Sequence, residues 1–371
     1  MRRRGILVAF IAAGICAAAA APPAAVPPFA ADDPRFERAL SVREFEFPRD
    51  HGPHPGFARE WWYLTGHLVT PTGERFGFEL TFFRVALAPP AAMPAAAGAS
   101  RWRARQIYVA HFAVTDIDRG RFRSAERYAR DALGLSGAEV NPLHVWTGDW
   151  SLSAVAGAWQ IRAAASGYAL NLQMTPELAP VLNGERGLSQ KSGAPFVASY
   201  YYSIPRLAVH GQIVRDAKVL NVSGSAWLDR EWGSDALSAD EEGWDWFALQ
   251  LADGRCLMFY SIRRRDGSQD LHSAGTFVAA DGHVRALAST DVEIEVQSYW
   301  ASPRGGRYPA RWSVRVPSLA LAVDLRPVLA DQELEGPPRY WEGAVDIAGT
   351  SGKNPIGGAG YVELVGYARV P

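Results

Sequence analysis

Apolar residues recur along this chain with a period of two. The cleanest run, Asp291-Val292-Glu293-Ile294-Glu295-Val296, alternates polar and apolar at every step, as a half-buried strand does. Gln106 to Thr115, Gly167 to Met174, Arg311 to Val316, Leu319 to Leu325 and Tyr361 to Tyr367 are further short runs of β-branched and aromatic residues between glycine and proline turns. After Phe45 no long segment sustains the i, i+3, i+4 spacing of an amphipathic helix. The pattern predicts a nearly all-β chain, with helix confined to Ser124 to Leu135 and a turn near Ala236 to Glu241.

Two stretches repeat one hairpin. Glu60-Trp61-Trp62-Tyr63-Leu64-Thr65-Gly66-His67-Leu68 and Gly243-Trp244-Asp245-Trp246-Phe247-Ala248-Leu249-Gln250-Leu251 both open on paired tryptophans. Each passes a glycine turn, Thr72-Gly73 or Asp253-Gly254, and returns in an apolar strand ending in arginine, Phe76 to Arg84 or Leu257 to Arg263. A repeated unit in 371 residues, more than one core supports, predicts two tandem antiparallel β-barrels. The Tyr200 to Pro205 segment ends one series of strands before Val219 starts another. This places the boundary near Arg206, with a leader and linker over 1–31, an N-terminal barrel over 32–205 and a C-terminal barrel over 206–371. Pro89 to Ser100, rich in alanine and proline, reads as a surface insertion.

Composition acts mainly by exclusion. Lys and Arg total 38 against 39 for Asp and Glu, a net charge of -1. No global field draws nucleic acid or an anionic membrane, so a partner must be found by a pocket or patch. Arg2, Arg3 and Arg4 followed by the apolar run Ile6 to Ala21 predict an export signal, hence a periplasmic or secreted protein with no membrane span after cleavage; a retained anchor helix is the alternative, since the run is near the length that spans a bilayer. Cys256 is then the remaining cysteine and is expected buried in a strand. Nucleophile elbow, zinc-protease helix, Cys-x-x-Cys pair, Walker loop and dinucleotide fingerprint are all missing from the sequence, and no cofactor is expected.

Three clusters carry candidate chemistry. Asp50, His51 and His54 precede Glu60 in a proline-bounded loop; they are expected to satisfy backbone groups at the barrel entrance rather than to hold a metal, with Glu60 beside Arg59 a candidate buried ion pair. In strand geometry Trp227, Asp229 and Glu231 share one face, and Leu228, Arg230 and Trp232 the other. Two carboxylates beside an aromatic ring fit a buried general acid, whose pKa rises with desolvation, or an ion pair holding a barrel mouth. Trp244 and Trp246 share a face as core plugs or as pocket walls.

Together these segments, with Tyr340-Trp341-Glu342-Gly343-Ala344 and Gly360-Tyr361-Val362-Glu363-Leu364-Val365-Gly366-Tyr367, resemble the AttH-like, lipocalin-related family that includes the carotenoid 1,2-hydratases. The resemblance runs from about Glu44 to Tyr367 and implies two consecutive lipocalin-like barrels. Hydratase members protonate the terminal alkene of an acyclic carotenoid. Their candidate acid lies in a Gly-x-(Gly/Ala)-Tyr-x-Asp segment that falls on Asp229, with Trp227 replacing the tyrosine and Tyr200-Tyr201-Tyr202-Ser203 replacing an upstream histidine-tryptophan pair. Related fungal members hold polyenes between the domains. The resemblance thus implies an apolar, isoprenoid-like or lipid-like ligand and acid-catalysed hydration: Asp229 as proton donor, Glu231 tuning it, and Trp227, Trp244, Trp246, Tyr201, Trp62 and His67 contacting the ligand. A non-catalytic carrier and a secreted hydrolase with a carboxylate base are the competing readings.

Overall fold

The computed structural model describes residues 34–90, 102–155, 157–194, 196–233, 237–238, 240–336 and 338–368. The first sheet comprises β1 (Arg59–Val69), β2 (Arg75–Ala86), β3 (Gln106–Asp116), β4 (Arg121–Arg130), β5 (Ser136–Val140), β6 (Leu143–Thr147), β7 (Trp150–Val155), β8 (Ala158–Ala165), β9 (Tyr168–Pro176), β10 (Val181–Leu182), β11 (Leu188–Gln190), β12 (Ala198–Arg215) and β13 (Lys218–Gly233). The second comprises β14 (Glu241–Leu251), β15 (Cys256–Arg264), β16 (Ala274–Val278), β17 (Val284–Ala288), β18 (Glu293–Ala301), β19 (Arg307–Val316), β20 (Leu321–Pro327), β21 (Glu333–Leu334), β22 (Tyr340–Ser351) and β23 (Asn354–Leu364).

Within both sheets the strands pair antiparallel, and in each sheet the first strand meets the last. β1 lies between β2 and β13, and β14 between β15 and β23. The repeated hairpins β1–β2 and β14–β15 therefore occupy equivalent places. The first sheet, ordered β4-β3-β2-β1-β13-β12-β9-β8-β7-β6-β5, curls into a nearly closed barrel, and the second, β17-β16-β15-β14-β23-β22-β20-β19-β18, into a half-barrel. Two tandem barrel domains result, as the repeat predicts.

Alternation assigns the faces. Trp62, Leu64 and Leu68 of β1 and Ala226, Leu228 and Trp232 of β13 enter the first core, while Phe247, Leu249 and Leu251 of β14 enter the second. Their outward neighbours are buried as well, because the two sheets pack against each other. Tyr63, Tyr201 and Trp227 of the first join Trp246, Ala248, Met258, Tyr260 and Tyr361 of the second in one inter-barrel cluster. Polar contacts cross the same seam: Gln250 Nε2 donates to the Pro205 and Ala226 carbonyls at 2.8 and 2.9 Å, and His67 Nε2 to the Gly360 carbonyl at 2.9 Å.

Several expectations are corrected. The chain does not leave the first sheet near Arg206: β12 runs through that position and β13 stays in the sheet to Gly233. What Pro205 marks is a register shift between Ile204 and Leu207, a bulge that accommodates a proline inside a strand. The helix expected over Ser124 to Leu135 is instead β4 and a turn, since pairing with β3 from Asp116↔Arg121 to Ile107↔Arg130 overrides local propensity. Gly357 to Gly360 lie within β23 and allow β14 to approach closely: a Cβ on Gly358 or Gly360 would collide with the Gln250 or Ala248 carbonyl. Cys256 is buried in β15, as expected. The leader over 1–31, most of the 89–100 insertion and part of the 236–241 turn lie outside the described residues.

Glu60 is an ion-pair centre, but its partner is not Arg59. Alternation turns Arg59 to the other face, whereas Arg84 stands directly opposite Glu60 in the β1–β2 register. One Glu60 oxygen binds Arg84 and the other Arg230, and the His54 backbone N–H donates to both. Arg84 also donates to the His54 and Phe57 carbonyls, and Arg230 stacks 3.9 Å over the Trp62 ring. Burial opposes the Glu60 charge, but the two guanidiniums outweigh it and hold the carboxyl well below its usual range. Its contribution to stability is therefore present above the ordinary carboxylate pKa and disappears only in strong acid. Glu60→Gln leaves two buried cations under-compensated and is expected to destabilise the fold by about 3–5 kcal/mol in urea denaturation; a loss below about 1 kcal/mol would mean the triad is dispensable.

Candidate active site

Asp229 lies on the outward face of β13, opposite Tyr63 on one side and Ser203 on the other. Its Oδ1 accepts hydrogen bonds from Ser203 Oγ and Trp227 Nε1, both at 2.6 Å, and its Oδ2 accepts from Tyr201 Oη. Trp246 Nε1, reaching across from the second barrel, donates to Tyr201 Oη at 3.1 Å. The side chain is 3 % exposed, and aromatic rings enclose it: Trp246 stands edge-on to Tyr63 at 5.0 Å and to Trp227 at 6.3 Å.

These features pull the acid in opposite directions. Burial disfavours its charged form and nearby Glu231 adds repulsion, while the three donors favour the anion. Burial dominates, and the Asp229 pKa is pushed up to about 7. Such a carboxyl both holds and releases a proton near neutrality, the property required of a general acid.

Glu231, two residues along the same face, is treated differently. Ser199 Oγ donates to it, and Lys191 Nζ lies 3.4 Å away. That ammonium sits 3.9 Å over the Tyr260 ring and 4.9 Å over Tyr201. Burial works against the Lys191 charge, but Glu231, Tyr260 and Asp229 outweigh it and raise its pKa. A fixed ion pair thus borders the titrating acid. Ser203, Ser199 and Lys191 escaped sequence reasoning because serine and lysine carry no spacing signal there; only cross-strand register brings them in.

Of the other expected residues, the structure gathers Trp227, Trp246 and Tyr201 around Asp229. Trp244 shares the outward face, but its Nε1 donates to Glu363 Oε2 at 3.2 Å. His67, four residues beyond Tyr63, packs on Tyr361 and ties the barrels together through Gly360. Trp62 is not part of the site. It points into the first barrel, stacks on Arg230 and donates to the His51 carbonyl at 2.8 Å. Among the described residues no cluster of three histidine, cysteine or acidic side chains is placed to hold a metal. His51 bonds Tyr202 and His54 bonds Asp50, a structural arrangement at the barrel entrance. A cleft of about 880 Å³ opens elsewhere between the barrels, and none of its lining residues belongs to the Asp229 centre.

A family model described as AttH-like matches residues 38–367. A crystal structure of an AttH from Nitrosomonas europaea superposes with a TM-score of 0.80 at 34% identity, covering 90% of this chain and all of that one. Kievitone hydratase from Nectria haematococca superposes with a TM-score of 0.67 at 16% identity, covering 92% of this chain and 98% of the other, a likeness of fold. The acyclic carotenoid 1,2-hydratase of Cereibacter sphaeroides is 36% identical over 81 residues, 22% of this chain; the chain spans 28% of that relative's length.

The Asp229 environment has a measurable consequence. Because its folded pKa is raised from about 4 to about 7, its stabilising effect is complete below the unfolded value and is lost as pH rises through the folded one. Thermal melts should show the wild type losing more stability than Asp229→Asn between about pH 5 and pH 8, a difference on the order of a few kcal/mol. Identical losses in the two proteins would refute the assignment.

Proposed function

The chain belongs to the AttH-like family, and from that premise we propose that it binds an apolar, isoprenoid-like molecule between its barrels and hydrates an alkene in it by acid catalysis. The family includes hydratase-related members, which supports hydration as the reaction class. The observation that carries the proposal is Asp229: a carboxyl enclosed by aromatic rings, gripped by neutral donors and titrating near neutral pH.

The chemistry follows from those groups. The Asp229 O–H bond breaks as a C–H bond forms at one alkene carbon, leaving a cation on the other. The faces of Trp227 and Trp246 stabilise that charge, and a dry surround strengthens the attraction. Water then forms the C–O bond and returns a proton to the Asp229 carboxylate, so the acid is regenerated. Tyr201 and Ser203 hold the carboxyl in place, and the Lys191–Glu231 pair sets the local field. The arginines and apolar run of residues 2–21 support placing this reaction in the periplasm or outside the cell.

Lycopene is a suitable probe, followed by tryptophan quenching for binding and by product analysis for turnover. Wild type is expected to quench and to form the tertiary alcohol. Asp229→Asn should retain quenching within about twofold and lose roughly a hundred- to ten-thousandfold in rate. Quenching without product in the wild type would favour the carrier reading, and equal turnover in the variant would remove Asp229 from the chemistry.

A further inference from the structure

The hairpin repeat extends to the acids. Matching β1 to β14 on their tryptophans makes Tyr63 the counterpart of Trp246, and strand register carries the match onward. Tyr63 stands opposite Asp229, and Trp246 opposite Glu363; Asp229 stands opposite Ser203, and Glu363 opposite Glu342. By the same registers Trp227 corresponds to Tyr361, and Tyr201, two residues before Ser203, to Tyr340, two before Glu342. The second barrel thus carries an equivalent of the Asp229 centre. Each centre also borrows a donor from the other barrel: Trp246 donates to Tyr201, and Tyr63 Oη donates to Glu342 Oε1 at 2.6 Å.

The second centre is less satisfied than the first. Glu79 of β2 joins it across the seam, fully buried, with Thr81 as its neutral neighbour and neither carboxyl oxygen in a well-formed hydrogen bond. Glu342 Oε2 is equally buried and unpartnered. Among the described residues no arginine or lysine pairs with Glu79, Glu342 or Glu363. Buried polar atoms without partners are rare in folded proteins and point to a group that completes them. The cleft between the barrels comes near this centre. The 880 Å³ cleft is lined by His111 and Glu126, and His111 Nδ1 lies 2.7 Å from Tyr340 Oη.

We propose that Glu79, Glu342 and Glu363 form a second binding centre, which takes an uncharged oxygen function, a hydroxyl or carbonyl, on the ligand whose alkene meets Asp229. The inference rests on the hydration reading above. The polar groups gathered here are carboxyls and a threonine hydroxyl, and the neighbouring base that acts on Glu79 is His111. The acids themselves cannot all ionise side by side in a buried site, so they hold protons and can donate. Burial and mutual repulsion push Glu342 well above the usual carboxylate range, and burial foremost takes Glu79 and Glu363 up to about 7. A protonated carboxyl offers one donor and a free acceptor, which matches a hydroxyl completely and a carbonyl in part.

Three probes that share one chain separate the possibilities: farnesene, farnesol and farnesylamine, each titrated by tryptophan quenching. Wild type is expected to bind farnesol on the order of tenfold more tightly than farnesene. Glu342→Leu should bring the two within about twofold by weakening farnesol, and Glu342→Gln, which keeps a donor, should retain much of the preference. Glu79→Leu serves as the second variant should Glu342→Leu fail to fold. Equal binding of alcohol and hydrocarbon by the wild type, a preference that survives both leucine variants, or tighter binding of the amine would overturn the proposal. Failure of farnesene itself to bind would reject the apolar-ligand reading as well, whereas farnesene binding without alcohol preference rejects the second centre alone.

Discussion

The raised acids of this protein depend on the packing of two barrels along the strands where the first and last of each sheet meet. A strand of an isolated barrel buries one face and shows the other to water. Here β1, β12 and β13 of the first barrel and β14, β22 and β23 of the second lend their outer faces to a shared seam. Positions that alternation would ordinarily give to solvent are therefore enclosed. Desolvation is the leading cause of the raised pKa of Asp229, Glu79, Glu342 and Glu363, and either barrel alone would expose outer-face acids and return them toward ordinary values.

Burial alone does not make an acid useful, as Glu60 shows. It is as deeply buried as Asp229, but it lies on the inner face of its barrel between two guanidiniums, which keep it ionised and structural. Asp229 is held by a phenol, a hydroxyl and an indole N–H, none of which carries charge. The difference in partner chemistry separates a carboxylate that stabilises the barrel from a carboxyl that can exchange a proton. Arg230 and Asp229, adjacent in sequence, belong to these two systems because strand alternation sends them to opposite faces.

The duplicated hairpin gives the seam its near-symmetry. Equivalent strands supply equivalent walls, and the cross-donated bonds of Trp246 and Tyr63 link each acid centre to the opposite barrel. Divergence between the halves is chemical rather than architectural: a serine holds Asp229 where a glutamate stands beside Glu363, so the second centre accumulates acids and leaves oxygens unpartnered. The fold shared with the Nitrosomonas AttH spans both barrels, so the seam belongs to the common architecture.

Much of this was legible in the residues. Alternation alone identified the strands, paired the two hairpins, and put Trp227, Asp229 and Glu231 on one face with Arg230 and Trp232 on the other, because side-chain direction in a strand is a local property with a fixed period. Glu60 was recognisable as a buried pair, although its partners Arg84 and Arg230 come from neighbouring strands whose register the sequence does not state. Pro205 suggested a boundary and marks a bulge, and the segment from Ser124 suggested a helix and pairs with β3, since long-range hydrogen bonding overrides short-range preference. Period two says which side chains share a face; it cannot say whether that face meets a core, another barrel or water. Only tertiary packing decided that Trp62 is core, that Asp229 is enclosed, and that Glu79, Glu342 and Glu363, distant along the chain, converge on one seam.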